Sequence, residues 1–298
     1  MAAQKKPTVA VATDSNSGIT QAQGTKHGIG VIPMPFLIDG TEYFEDVSIT
    51  REEFFQKLEE GADVQTSQPS PESVTALWDK LLEEYEEVVY IPMSGGLSNS
   101  VQTALMLSES YEGRVQVVDN HRISCSQKQS VLQAVKLARE GRKAAEIKAF
   151  LLEHALDASI YIAVDTLKYL KKGGRVTAAG AALGTILNIK PVLQIQGEKL
   201  DAYAKVRGMK LAQTKMLEAV KNDIESRFAG EEVLIKGAYT CDEKSLSQWK
   251  KALSSAFPKH KISLDPLALS ISCHIGAGSM AVVCMKIEPE ADGVSFEL

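Results

Sequence analysis

The sequence predicts an α/β fold, and three observations carry the prediction. Short β-branched runs alternate with stretches of helical apolar spacing along the whole chain. Turns rich in glycine, serine or proline stand between them. The 298 residues, 44% of them hydrophobic and 24% charged, suffice for one large core or two moderate ones. Strands and helices in alternation give a mainly parallel sheet covered by helices.

Taken in order, residues 8–13 (TVAVAT) are a β-branched run ending in the polar turn Asp14-Ser15-Asn16-Ser17-Gly18. Residues 31–38 read as a second strand, closed by Asp39-Gly40. Residues 51–58 read as a short helix with Phe54, Phe55 and Leu58 inward, and residues 64–71 as a loop. Ser70 suits the N-cap of the next helix and Pro71 its first position; Val74, Leu77, Trp78, Leu81, Leu82 and Tyr85 mark its apolar stripe. A buried strand over 88–92 runs into the glycine-serine turn Ser94-Gly95-Gly96-Leu97-Ser98-Asn99-Ser100, which opens a helix to about residue 110. A strand over 115–119, helices over 126–140 and 144–156, and a strand over 160–164 complete a first unit.

The remainder differs in character. A short helix over 167–172 stops at Gly173-Gly174, and small residues build a helix over 178–187. Residues 192–204 read as a hairpin turning at Gly197. Helices over 211–228 and 244–256 alternate with strands over 233–239, 267–272 and 281–287. The organisation expected is an N-terminal α/β domain over 1–160, with helices on both faces of a mainly parallel sheet, and a C-terminal α+β domain over 161–298.

Composition excludes several classes of function. With 33 basic and 38 acidic side chains the net charge is −5, so nothing draws the whole molecule to nucleic acid or anionic lipid. Lys168, Lys171, Lys172 and Arg175 form the tightest basic cluster. The first residues lack the apolar run of a signal peptide, and no stretch approaches the roughly 20 apolar residues of a membrane span; stable membrane insertion is not expected and the cytoplasm is. Cys125, Cys241, Cys273 and Cys284 have no metal spacing and read as thiols in a reducing compartment. There is no P-loop, no HExxH and no GxSxG, and His27-Gly28-Ile29-Gly30 lacks the third glycine of a dinucleotide fingerprint. No metal and no cofactor are expected.

Four features have chemical potential, each with a structural alternative. The Ser94–Ser100 turn leads from a strand into a helix, where backbone N–H groups and the positive helix end suit an anion at the sheet's carboxyl edge. Ser98 serves there as a cap or as a ligand hydroxyl, and phosphate and carboxylate fit equally well. Thr66-Ser67-Gln68-Pro69-Ser70-Pro71 offers three hydroxyls and an amide, or a proline-stiffened capping loop. Gly173-Gly174-Arg175 is a helix stop that can present an exposed guanidinium on a fixed turn. His274, after the strand read over 267–273 and before Ile275-Gly276-Ala277-Gly278, is a structural imidazole or a proton carrier.

The motifs VATDSNSGI, VIPMPFLIDG, TSQPSP, MSGGLSNSVQTA, VVDN, LKYLKKGGRV and CHIGAGS, in this order, resemble those of the DegV family of bacterial fatty-acid-binding proteins across nearly the whole chain. The resemblance implies a DegV-like two-domain fold with a long-chain fatty acid in a tunnel between the domains. It implies a non-catalytic lipid-binding subunit, the bound fatty acid being its ligand. Its partner would be a separate ATP-dependent fatty acid kinase that phosphorylates the carboxylate to an acyl phosphate. By motif position Thr66 and Ser98 would hold the carboxylate, with the backbone around Ser67, Gly96 and Asn99 nearby. Arg175 and His274 would lie at the carboxyl end and face the partner. Two departures stand out: the family's LSGTYQSA reads Leu97-Ser98-Asn99-Ser100-Val101-Gln102-Thr103-Ala104, and its glycine-proline-glycine reads Gly276-Ala277-Gly278.

Energetics allow such a ligand. Burying a C16 chain removes about 14 methylenes from water, roughly 11 kcal/mol at ~0.8 kcal/mol each. Association and ordering offset several of these, and a buried carboxylate must be hydrogen-bonded. The alternatives are an independent phosphotransferase or esterase using Ser98 with His274, and an interaction module that binds a protein through Lys171, Lys172 and Arg175.

Overall fold

The computed structural model describes residues 8–183, 189–197 and 199–287. The elements, in chain order, are β1 (Val9–Asp14), α1 (Gln21–His27), β2 (Ile29–Ile32), β3 (Pro35–Ile38), β4 (Thr41–Phe44), α2 (Arg51–Glu59), β5 (Val64–Thr66) and α3 (Pro71–Leu82). Next come β6 (Glu87–Ile91), α4 (Ser100–Ser108), β7 (Val115–Val117), α5 (Cys125–Arg139), α6 (Ala144–Glu153), β8 (Ala158–Ala163), α7 (Lys168–Gly173) and α8 (Ala178–Ala181). The last are β9 (Ile189–Ile195), β10 (Asp201–Arg207), α9 (Met209–Glu225), β11 (Val233–Tyr239), α10 (Glu243–Ala256), β12 (Ser263–Pro266), α11 (Leu269–Ile275) and β13 (Met280–Lys286).

The chain forms two compact units. The described part of the first is residues 8–35 and 67–156; the second comprises Phe36–Thr66 and Asp157–Ile287. Residues 36–66, counted with the N-terminal domain on sequence order, therefore belong to the second unit.

In the first unit the sheet order is β2-β1-β6-β7 and every pairing is parallel. Period-two alternation divides β1 between two cores, as a strand covered on both faces requires. Val9 and Val11 pack with Val131 and Val135 of α5 and Ile147 and Leu151 of α6. Ala10 and Ala12 face Val74 and Trp78 of α3 and Ala104 of α4. The expected helices on both faces are present. Helix α3 begins as its sequence dictates, with Ser70 Oγ accepting from Ser73 N and Pro71 in first position.

The second unit holds a six-stranded sheet, β10-β9-β8-β13-β11-β12, antiparallel except for the parallel β11–β12 edge. Met216 and Val220 of α9 and Trp249 and Leu253 of α10 pack on Tyr161, Val282 and Ile235. A three-stranded sheet, β4-β3-β5, makes its own core with α2 and α11: Phe36, Phe54, Leu58 and Val64 meet Leu269 and Cys273.

Several expectations are corrected. The single strand over 31–38 is two strands in different sheets, because Pro33 and Pro35 remove the donors a continuous ladder needs. Residues 64–66 form a strand rather than loop, paired with β3. The strand expected over 267–272 is helix α11, while β12 supplies the edge strand beside β11. Its apolar run is buried all round, so periodicity could not separate helix from strand. Phe55 is half-buried, unlike Phe54 and Leu58. The helix expected over 178–187 is described only over Ala178–Ala181; residues 184–188 lie outside the described residues.

Candidate functional site

In the first unit the glycine-serine turn closes on itself. Met93 N donates to Asp14 Oδ2 (2.8 Å), Ser94 N to Arg122 O (2.9 Å) and Gly95 N to Asp119 Oδ1 (3.1 Å). Gly96 N donates to Ser94 Oγ (3.2 Å), while Leu97 N and Ser98 N both donate to Ser94 O. The backbone donors of Ser94 to Ser98, expected to be open, are thus engaged, the first two by Arg122 and Asp119 and the other three by Ser94 itself. A Cβ on Gly95 would overlap Asp119, so the tight approach requires glycine.

What the turn offers is the start of α4. Asn99 is its N-cap and makes no side-chain capping bond; Ser98, expected as the cap, lies one residue earlier. Ser98 Oγ accepts from Ser100 N (3.2 Å) and donates to Ser100 Oγ (3.0 Å). The first N–H groups of a nine-residue helix, with its positive end, remain beside this half-buried hydroxyl.

Asp14 fastens the turn to the sheet. Its carboxylate also accepts from Asn16 N (2.9 Å) and Gln127 Nε2 (3.1 Å), the latter on α5. Complete burial pushes its pKa up to about 6 against the pull of those hydrogen bonds. Neither Asp14 nor Asp119 was singled out on sequence. The available signal was their place at the carboxyl ends of β1 and β7, the ligand edge of a parallel sheet.

In the second unit the tertiary structure gathers Thr66, Gly173, Arg175 and His274. Thr66 ends β5, and its Oγ1 lies 2.9 Å from His274 Nε2. His274 sits in the last turn of α11, not after a strand. Its ring lies over Gly173, where a Cβ would overlap Nδ1. Gly174 adopts the left-handed conformation that ends α7 (φ 66°), and the Arg175 guanidinium turns back to donate to Gly173 O. Arg175 is half-buried rather than exposed. Burial, then the Arg175 charge, hold the His274 pKa down to about 4, so the imidazole is neutral near pH 7.

Glu45 supports this group from the other end of α11. Its carboxylate accepts from Leu269 N (2.7 Å) and from Arg51 (3.3 Å), and Arg51 also donates to Leu267 O. Ser67 follows Thr66 as an exposed residue of the first unit, its N–H donating to Pro35 O (3.3 Å). Ser67, Gly96, Ser98 and Asn99 are therefore first-unit residues; Thr66, Arg175 and His274 are second-unit residues. Cys125, Cys273 and Cys284 are buried and Cys241 half-buried, all four reduced. Among the described residues no cluster of three or more His, Cys, Asp or Glu is placed to hold a metal ion, and no helix is long and apolar enough to cross a membrane.

The family model described as "Uncharacterised protein, DegV family" matches residues 8–286. The chain belongs to the DegV family. A DegV domain-containing protein of Deinococcus radiodurans is 33% identical over 275 residues, 92% of this chain and 97% of that protein. The solved structure of a fatty-acid-binding DegV family protein from Thermus thermophilus is 32% identical, with a TM-score of 0.84 over 94% of this chain and 99% of that one. A fatty acid binding DegV family protein of Streptococcus agalactiae is 26% identical, with a TM-score of 0.84 over 95% and 100%. The DegV fold implied by the sequence motifs is the fold observed.

Proposed function

We propose that this DegV protein binds a long-chain fatty acid in an internal tunnel and presents its carboxylate to a separate ATP-dependent fatty acid kinase for acyl-phosphate formation. It does no covalent chemistry of its own in this reading. The hydroxyls of Thr66 and Ser98 hold the carboxylate, with the backbone of Ser67, Gly96 and Asn99 beside it. Arg175 and His274 face the partner. The protein works in the cytoplasm, without nucleic acid and without stable membrane insertion.

The observation that carries the reading is the pairing of Thr66 with a neutral, partly buried His274, in a chain 32% identical to a fatty-acid-binding relative. A hydroxyl and a helix N-terminus are neutral donors that hold a carboxylate by hydrogen bonds. Neither locks it in a salt bridge that would oppose later phosphorylation. Ser98 Oγ accepts from Ser100 N and can turn its proton to a ligand, and the imidazole is paired with Thr66, so the local bonding of each favours binding over nucleophilic attack.

Mass spectrometry of the denatured, extracted protein checks this directly. One fatty acid per chain is expected from the purified material, with Thr66→Ala and Ser98→Ala each lowering retention at least tenfold. Ligand-free protein that shows no thermal shift with added fatty acids would sink the reading.

A further inference from the structure

The glycine turn that follows α11 is tied to a single buried residue, Thr240, at the end of β11. Thr240 Oγ1 donates to Gly276 O (2.7 Å) and accepts from Ser279 N (3.0 Å). Its backbone N–H donates to Ser279 O (3.0 Å), and its carbonyl accepts from Gly278 N (3.1 Å). One residue earlier, Tyr239 O accepts from Leu267 N (2.9 Å), just before α11 begins. Two consecutive residues therefore pin the chain on both sides of the seven-residue helix that carries His274 in its last turn.

We propose that Thr240 is a positioning residue for the head-group site: its hydroxyl, shared between Gly276 O and Ser279 N, sets the turn that holds His274 against Thr66. Thr240 acts through His274 and not on the ligand. This inference rests on the fatty-acid reading above.

The turn cannot fix itself. Gly276 and Gly278 both have positive φ (74° and 78°) and no side chain to anchor them, so their placement depends on bonds from outside. A helix as short as α11 has little stiffness of its own. The turn also carries α7, because the two elements interlock through glycines. The Tyr169 ring of α7 lies on Gly276, and the His274 ring of α11 lies on Gly173 of α7; a Cβ on either glycine would overlap the ring. Such close packing has no slack, so a displaced Gly276 moves Tyr169, and with it Gly173 and the ring that rests there. Valine nearly matches threonine in shape but removes both side-chain bonds, leaving a buried carbonyl and a buried N–H without them. Serine retains both.

Thr240→Val and Thr240→Ser test the assignment, with decanoate as the probe in a fluorescent displacement assay and proton NMR reading the His274 ring. Thr240→Val is expected to bind decanoate about tenfold more weakly, the scale of one lost buried hydrogen bond. It should also lose the nuclear Overhauser contact between the His274 ring and the Thr66 side chain. Thr240→Ser should keep that contact and bind within about twofold of wild type. Tyr161→Phe, which removes a different buried hydrogen bond of the same unit, to Asp223, should change neither readout. Equal losses in Thr240→Val and either other variant, wild-type affinity in a folded Thr240→Val, or weaker binding with the ring contact intact overturns the inference and leaves the fatty-acid reading standing. Should Thr240→Val fail to fold, amide exchange in the wild type decides. Linkage is reciprocal, so decanoate is expected to slow Gly278 and Ser279 about threefold or more. Glu231, in the turn at the opposite end of β11, should exchange as before. Equal effects at the two ends, or none, overturn the inference. Absence of any decanoate or palmitate binding to the wild type overturns both readings.

Discussion

At the residue scale, Gly173 and Gly174 look alike in sequence and do different work. Gly174 needs its positive φ but has open space where a side chain would go, whereas Gly173 has no room because the His274 ring covers it. Gly173→Ala should push the ring from Thr66, lowering stability by ~1–3 kcal/mol through overpacking and fatty-acid affinity about tenfold, a loss of ~1.4 kcal/mol. Gly174→Ala should cost ~1 kcal/mol from backbone conformation alone and leave affinity near wild type. Urea melts and a fluorescent fatty-acid displacement assay, run on both variants, separate steric from conformational need. Equal affinity losses would contradict the assignment. The glycine pair was legible in the sequence as a helix stop. Which glycine carries the site was not, since His274 is about a hundred residues further along.

At the scale of elements, α3 and α11 show where sequence reading works and where it fails. Helix α3 carries its own instructions: a serine cap, a proline at its first position and one apolar stripe. Helix α11 is seven residues, too short to stand alone in water, and six of them are buried. Its first N–H groups need a partner, and Glu45 supplies one from 224 residues away. Glu45→Ala should therefore cost about 1.5–3 kcal/mol, the range for a hydrogen bond to a charged group. Amide exchange at Leu269 should accelerate together with loss of the Thr66–His274 contact. Unchanged exchange across α11 in that variant would show that the helix is held by its apolar packing alone.

At the scale of the molecule, each unit contains one tryptophan and a strongly shifted group that titrates between pH 4 and 7. The first holds Trp78 and Asp14, the second Trp249 and His274. Asp14 has a folded pKa raised above 3.8, so the folded state binds the extra proton and the first unit gains stability as pH falls through about 6. The full span is worth ~2–3 kcal/mol. His274 has a folded pKa lowered from 6.5 to about 4, so the unfolded state binds the extra proton and the second unit loses stability as pH falls below 6.5. Between pH 7 and 5, urea midpoints should rise when read from Trp78 in Trp249→Phe and fall when read from Trp249 in Trp78→Phe. Asp14→Asn and His274→Gln should flatten the respective slopes. Two probes moving together would show that one cooperative transition, or other groups, set the pH dependence.

The sequence by itself determined the α/β class, a mainly parallel first sheet, the capped helices and the family motifs. Those features arise from neighbours within one turn or one strand, where periodicity, capping and proline chemistry act directly. Only the tertiary structure decided that Phe36–Thr66 joins the second unit, that residues 269–275 are helix, and that most donors of the glycine-serine turn are used within it. It showed the direct contact between Thr66 and His274 across 208 residues, where the family motifs implied only a shared end of the ligand. Such pairings depend on burial and on acceptors supplied by distant strands, and no local pattern encodes where a distant residue will pack.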